Sequence, residues 1–221
     1  MAVLYNVTTS SDQADSVSLG LTGNWNDLGA IAPELPDTIS PFIGSLELQA
    51  HFESGSDERA MDLLRREWGY MLYTNLSVQS TLLEGFTANG SIGYRSYRGY
   101  NYDASYTSHA HGWSSGPTSA LTFYVLGLTV TSPQGQTWAV APHTSGLTAA
   151  EGGFETSLGW YGVKWTLSDS AFTISLDVPS ETSGTIRLPY EGQTTVNGRS
   201  LVISAGAVQL AGGHHDISVQ F

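Results

Sequence analysis

Residues 172–178 read F-T-I-S-L-D-V, and their grammar decides the fold of the C-terminal part. Phe172, Ile174, Leu176 and Val178 alternate with polar residues. Successive side chains of a strand point to opposite faces, so this stretch predicts a strand with one face on a core and one in water. Runs of the same kind are spread over the neighbouring sequence: T-W-A-V-A from Thr137, V-K-W-T-L from Val163, G-T-I-R-L from Gly184, T-T-V from Thr194, L-V-I-S from Leu201, A-V-Q-L from Ala207 and I-S-V-Q-F from Ile217. Eight short runs with turn residues between them predict an antiparallel β-sandwich over residues 134–221. Val196-Asn197-Gly198-Arg199 is a hairpin signal, because Asn-Gly suits the left-handed positions of a type I′ turn. His214 and His215, in a Gly-rich stretch, read as a surface turn.

Upstream of Thr131-Ser132-Pro133 the period changes. Ser40-Pro41 opens a helix that runs to about residue 52, with Ser at the N-cap and Pro at the first helical position. Ser56 caps a second helix whose first turn holds Asp57 and Glu58, where the helix dipole favours acid. Ala60, Leu64, Trp68 and Met71 or Leu72 recur at helical spacing, and Asp62 pairs with Arg66 one turn on. The short connection predicts an α-hairpin. Gly116-Pro117 starts a third helix, closed by Gly127 and apolar nearly all round, so it is expected to be buried. Residues 1–21 read as short helical pieces, with Asp12 as a possible cap. The expected organisation is a helical part over residues 1–130 and a β-part over 134–221.

Between the second and third helices lie residues 80–116, S-T-L-L-E-G-F-T-A-N-G-S-I-G-Y-R-S-Y-R-G-Y-N-Y-D-A-S-Y-T-S-H-A-H-G-W-S-S-G. A loop of this length in a compact domain is a binding or catalytic loop or is disordered. Disordered segments are poor in aromatics, and this one is rich in them, so it reads as an ordered loop that builds a site. Glu84 sits among Leu82, Leu83 and Phe86, where lost hydration suits a carboxylate to acid–base work. His109 and His111 are two apart and share a face in an extended segment, with Trp113 on the same side as a stacking wall. A third metal ligand is not evident, so hydrogen bonding rather than metal binding is expected of the histidines, and no cofactor is implied. No G-x-S-x-G elbow supports a serine triad.

The 221 residues carry 8 Lys+Arg against 20 Asp+Glu, a formal net charge of -12. That balance argues against nucleic acid or an anionic membrane as partner. It fits a neutral ligand, and Tyr and Trp, each with an apolar face and a polar tip, suit sugar rings. There is no Cys, so disulfides and thiolate metal sites are excluded. Sequons at Asn6, Asn75 and Asn89 allow a secreted glycoprotein. No apolar run is long enough to span a membrane, and Met1 leads into A-V-L-Y-N with no basic n-region, so no signal peptide is expected within this chain.

Four motifs in order, E-L-Q-A-H-F (47–52), A-M-D-L-L-R-R-E-W-G-Y-M-L (60–72), S-T-L-L-E-G-F (80–86) and S-H-A-H-G-W-S-S-G-P-T (108–118), resemble the fungal α-L-rhamnosidases. A-P-E-L-P (32–36), S-L-G-W-Y-G-V-K-W (157–165) and the D-V-P ending at Pro179 extend the resemblance over nearly the whole chain. It implies the last helices of an (α/α)6 six-hairpin barrel followed by a C-terminal β-sandwich. It further implies an inverting exo-hydrolase that releases terminal L-rhamnose with two carboxylic residues. Thr81-Leu82-Leu83-Glu84 matches the family's T-x-x-E, which makes Glu84 the candidate base. The family's sugar-contacting histidine matches His109, with His111 as the fallback. Trp113, Tyr94 and Arg95 complete the expected rhamnose contacts. Where many members have Trp after the base, this chain has Gly85-Phe86.

The family's general acid lies in a D-x-x-x-R-E segment. Asp62-Leu63-Leu64-Arg65-Arg66-Glu67 fits those letters but sits inside an amphipathic helix, so it is rejected, and the acid is expected upstream of Met1. The chain is therefore expected to be a C-terminal portion of an extracellular rhamnosidase acting on a rhamnose-containing glycoside or oligosaccharide. The alternative is a non-catalytic carbohydrate-binding or truncated, inactive relative.

Overall fold

The computed structural model describes residues 1–76, 81–201 and 207–221. Ser77 of the second sequon, Ser80 at the head of the loop and residues 202–204 of the expected L-V-I-S strand lie outside the described residues. The chain divides into two compact units, Met1–Ser119 and Ala120–Phe221.

The first unit holds α1 (Ser11–Leu21), α2 (Pro41–Glu53) and α3 (Asp57–Tyr73). Two small antiparallel pairs accompany them: β1 (Trp25–Asn26) with β2 (Gly29–Ala30), and β3 (Thr38–Ile39) with β4 (Phe86–Thr87). Ser10, not Asp12, caps α1; its hydroxyl accepts from the Gln13 amide at 3.2 Å. α2 begins on Pro41, as the fixed φ of proline favours. Ser56 precedes α3 but does not cap it, because its hydroxyl is directed to Asp15 Oδ1 at 3.0 Å. The buried stripe of α3 runs through Ala60, Leu63, Glu67, Trp68 and Met71, so Leu63 replaces the expected Leu64, and Leu72 is exposed. A carboxylic acid thus stands inside an apolar stripe. Among the described residues this unit contains no closed helical ring, and no helix is long and apolar enough to cross a membrane.

The expected third helix is a short α4 (Gly116–Ala120) followed by a π-helical turn, Leu121–Val125. It is not buried all round: Val125 and Leu126 are buried, whereas Leu121 and Phe123 are exposed. One α-turn and one π-turn offer only one side for packing. Gly127 ends it at φ +80°, where a Cβ would also lie 2.4 Å from the Pro142 nitrogen.

The second unit is built on β5 (Leu128–Val130), β6 (Thr137–Val140), β7 (Ala149–Thr156), β8 (Gly159–Leu167), β9 (Ala171–Arg187), β10 (Gln193–Val196), β11 (Arg199–Leu201) and β12 (Ala207–Gln220). All eight belong to one hydrogen-bonded sheet. β9 and β12 pair along nearly their whole length, with a register shift between Ala211 and Gly213. The other edge of β9 is shared, β8 taking residues 172–177 and β6 taking residues 183–186. The sheet departs from expectation in two ways. F-T-I-S-L-D-V and G-T-I-R-L are one strand, as are A-V-Q-L and I-S-V-Q-F, because the segment around Pro179 is an irregularity within β9 and not a chain reversal. The sheet is also not wholly antiparallel: β6 and β9 run parallel, since the β7–β8 hairpin returns the chain to β9 in the direction of β6. The Asn-Gly turn is as expected, with φ of 50° at Asn197 and 74° at Gly198 joining β10 to β11. His214 and His215 lie within β12 and not in a turn.

Large aromatics fill the core of this unit, and each polar tip is satisfied, as buried Tyr and Trp require. Trp138 Nε1 donates to Thr182 Oγ1 at 3.0 Å, Trp165 Nε1 to the Val125 carbonyl at 2.9 Å, and the Tyr161 hydroxyl to the Gly135 carbonyl at 2.6 Å. Gly184 lies flat under Trp138, where a Cβ would stand 2.1 Å from Cδ2 of the indole. Gly184→Ala should therefore cost roughly 1–3 kcal/mol through overpacking. Denaturant unfolding followed by tryptophan fluorescence checks this, and an unchanged midpoint would contradict it.

Candidate active site

The long loop is ordered by its own backbone. Segment 81–84 runs alongside segment 108–114: the Glu84 amide donates to the Ser108 carbonyl at 2.9 Å, and the His111 amide donates to the Leu82 carbonyl at 2.7 Å. The Thr81 hydroxyl donates to the His109 carbonyl. A buried serine locks the two segments to α3: Ser114 Oγ donates to the Leu83 carbonyl at 2.7 Å, and the Ser114 carbonyl accepts from Trp68 Nε1 at 2.7 Å. Leu83 is fully enclosed beneath. Both ends of the loop are therefore fixed at Glu84.

The Glu84 carboxylate is held by two donors. The Tyr100 hydroxyl donates to Oε1 at 2.5 Å and the Ser108 amide donates to Oε2 at 3.0 Å. The hydrogen bond to Glu84 is the main reason the Tyr100 phenol is pushed up to about 12, with burial and the carboxylate charge adding to it. Tyr100 thus stays a donor. A carboxylate offers about four lone-pair directions, and these two contacts leave others free to take a proton from water.

Around this pair the loop gathers aromatics and one cation. Tyr94 packs edge-on to Tyr100 with centroids 6.1 Å apart, Tyr106 lies 6.0 Å from Tyr100, and the Arg95 guanidinium sits 5.6 Å from the Tyr100 ring. Arg95 has φ of 53°, a costly conformation for a long side chain. Tyr94 is buried, and Gly85 exists to admit it: a Cβ there would be 2.3 Å from the Tyr94 ring. Phe86 is a core residue whose ring packs at a tilt against Tyr70, with centroids 4.7 Å apart. Glu84, Tyr94 and Arg95 are thus brought together through Tyr100, a residue that no sequence pattern singles out. His109 and His111 are half-buried on the loop segment beside Glu84. Trp113 departs from the expected line. The chain bends at His109 and Ala110, and Trp113 lies in a 3₁₀ turn, 69% exposed, with its ring edge-on to Phe42 at 5.2 Å.

The D-L-L-R-R-E segment has other duties. Asp62 Oδ1 accepts from Arg66 Nε at 2.9 Å. Glu67 is fully buried in the first unit, its oxygens against Gly29 and Gly44 and one of them 3.4 Å from the Ala30 amide. Burial, partly opposed by the Ala30 N–H and reinforced by the Glu47 charge, pushes its carboxyl up to about 8. It is a neutral acid at pH 7 but has no access to a substrate. Among the described residues, no group of three His, Asp or Glu side chains is placed to hold a metal ion.

Residues 127–201 match the model of the bacterial α-L-rhamnosidase C-terminal domain. That span starts at the end of the π-turn and covers the sheet from β5 to β11. Solved structures of rhamnosidases share the fold. The α-L-rhamnosidase of Aspergillus terreus aligns over 99% of this chain and 23% of its own, with a TM-score of 0.67 and 19% identity. The Streptomyces avermitilis α-L-rhamnosidase, solved with L-rhamnose, aligns over 95% of this chain and 20% of its own, with a TM-score of 0.65 and 13% identity. A GH78 rhamnosidase of Bacillus sp. GL1 aligns over 76% and 16%, with a TM-score of 0.55 and 21% identity. The neighbours are bacterial as well as fungal. The chain spans about a fifth of the length of these structures. No curated protein sequence matches it.

Proposed function

We propose that Glu84 is the general base of an inverting exo-α-L-rhamnosidase site, and that the loop around it receives terminal L-rhamnose from a rhamnose-containing glycoside. The observation that carries this is the carboxylate pinned by Tyr100 and Ser108 at the closed end of an aromatic loop, with lone pairs left over for water. Glu84 takes a proton from a water, the water oxygen attacks the anomeric carbon, and the glycosidic oxygen leaves with a proton from a second carboxylic acid. His109, His111, Arg95 and Trp113 are the proposed sugar contacts. The likeness of fold to a rhamnosidase solved with L-rhamnose supports the choice of sugar.

We further propose that the acid comes from outside these 221 residues and that the chain acts as the C-terminal part of a helical-barrel enzyme. Asp62 is engaged by Arg66 and Glu67 is sealed, which supports this. The sequons support an extracellular setting. Hydrolysis of 4-nitrophenyl α-L-rhamnopyranoside by the intact gene product, followed by proton NMR, tests the reading. The first sugar formed should be β-L-rhamnose, and the 221-residue chain alone should release little. A first product of α configuration, or full turnover by the chain alone, contradicts it.

A further inference from the structure

The outward face of the second unit carries a feature that the Glu84 site does not use. Trp160, on β8, is 50% exposed although it lies flat on the sheet. Two glycines make room for it. A Cβ on Gly162 would be 2.4 Å from the indole Nε1, and one on Gly153 would be 2.6 Å from Cζ2. Gly153 and Gly162 are direct cross-strand partners. One face of the indole is therefore seated on bare backbone while the ring remains half open to solvent, as a platform would require.

The register sets polar groups beside it. Gly162 is paired with Asp177 of β9, and Asp177 with His214 of β12, so these residues share the face of the indole. His214 Nδ1 is 2.8 Å from Asp177 and its Nε2 is 3.4 Å from Asp216. Next to Asp216 lies a shallow depression of about 290 Å³, lined on this face by Thr173, Ser175, Thr195 and Ser218. Strands are about 4.8 Å apart, so ~10 Å separates the indole's strand from the strand of Asp216. The aromatic platform, the carboxylate–imidazole pair and the hydroxyl-lined depression share one face, the depression running along β9 and β12 beyond Asp177 and His214 and reaching β10.

We propose that this face is a carbohydrate-binding surface of the second unit, with a neutral pyranose stacked on Trp160 and its hydroxyls bonded to Asp177 and His214. A sugar ring offers C–H groups to the indole and hydroxyls at its edge, which matches a platform with a polar rim. The sugar is neutral because the rim is acidic. Glu155 stands opposite Trp160, and Lys164 is already paired with Glu151 at 2.9 Å. The inference does not depend on the reading of Glu84.

The whole 221-residue chain, labelled with nitrogen-15, is the sample. It has six tryptophans, and the indole signal of Trp160 is the one lost in Trp160→Leu, a variant that keeps an apolar cover over the glycines. Titration with a neutral rhamnose–glucose disaccharide should shift that signal saturably, and Asp177→Ala should weaken the binding by about tenfold. No shift up to tens of millimolar sugar, equal affinity in Asp177→Ala, or a stronger response to galacturonic acid would overturn the proposal.

Discussion

Glu84→Gln in the intact gene product should lower kcat for 4-nitrophenyl α-L-rhamnopyranoside by about 10²–10⁴-fold, the range removed with a general base. KM should change little. The reason is local. Gln can keep both partners by turning its amide oxygen to the Ser108 amide and donating from its NH2 to the Tyr100 hydroxyl oxygen, so the junction of segments 81–84 and 108–114 should persist. What is lost is the capacity to take a proton from water. Tyr100→Phe separates positioning from catalysis: it keeps the carboxylate but removes one of its two donors, and should cost less than the Gln variant. A Glu84→Gln enzyme with unaltered kcat would end the assignment. A comparable loss in Tyr100→Phe would point to the shape of the loop as the sensitive element.

The second large effect concerns stability. Glu67 is neutral when folded because burial pushes its carboxyl up to about 8 from an ordinary 4.5. Its folded value lies above its unfolded value. Between about pH 4.5 and pH 8 the folded state therefore holds a proton that the unfolded chain has released, and stability falls as pH rises. The favourable contribution is complete below the unfolded value and gone above the folded one. Each tenfold change in proton affinity is worth about 1.4 kcal/mol, so the total is on the order of several kcal/mol. Far-UV circular dichroism melts at about pH 5 and about pH 9 should show the helical unit weaker at the higher pH, and Glu67→Gln should flatten the difference. Other groups face the same interior. Glu47 adds charge, and His51, fully buried, bonds Ser18 at 2.7 Å. A Gln variant as pH-sensitive as the parent would assign the effect to those groups.

The parts of this fold that were legible in sequence are those set by periodicity and turn chemistry. Pro41 opens α2, the alternation from Phe172 to Val178 lies in β9, and Asn197-Gly198 makes its left-handed turn. Direction and continuity were not legible. Period two is the same for parallel and antiparallel strands, so the β6–β9 pairing had no local signature. Pro179 looked like a break, yet the chain continues through it as one strand. β7, A-A-E-G-G-F-E-T, lacks alternating branched residues; its Gly153 lies beneath Trp160, while Gly152 on the other face meets Leu126. In the candidate site, Glu84 is singled out by the resemblance of its T-x-x-E context. Tyr100 is not, because only the folded loop chooses one tyrosine among several to meet that carboxylate.

The double pairing of β9 also has a consequence in time. Its partners β6, β8 and β12 come from both sides of it in sequence, and Trp138 of β6 must find Gly184 across the whole of the β7–β8 hairpin. Such distant pairings are slow to form, because the chain between them is confined before any contact rewards it. Helices α2 and α3, joined by three residues, face no such delay. While the second unit waits for its central strand, the apolar rows of β8 and β12 remain open to pairing with other chains. The interval before β9 is claimed on both edges is when the protein is most exposed to aggregation.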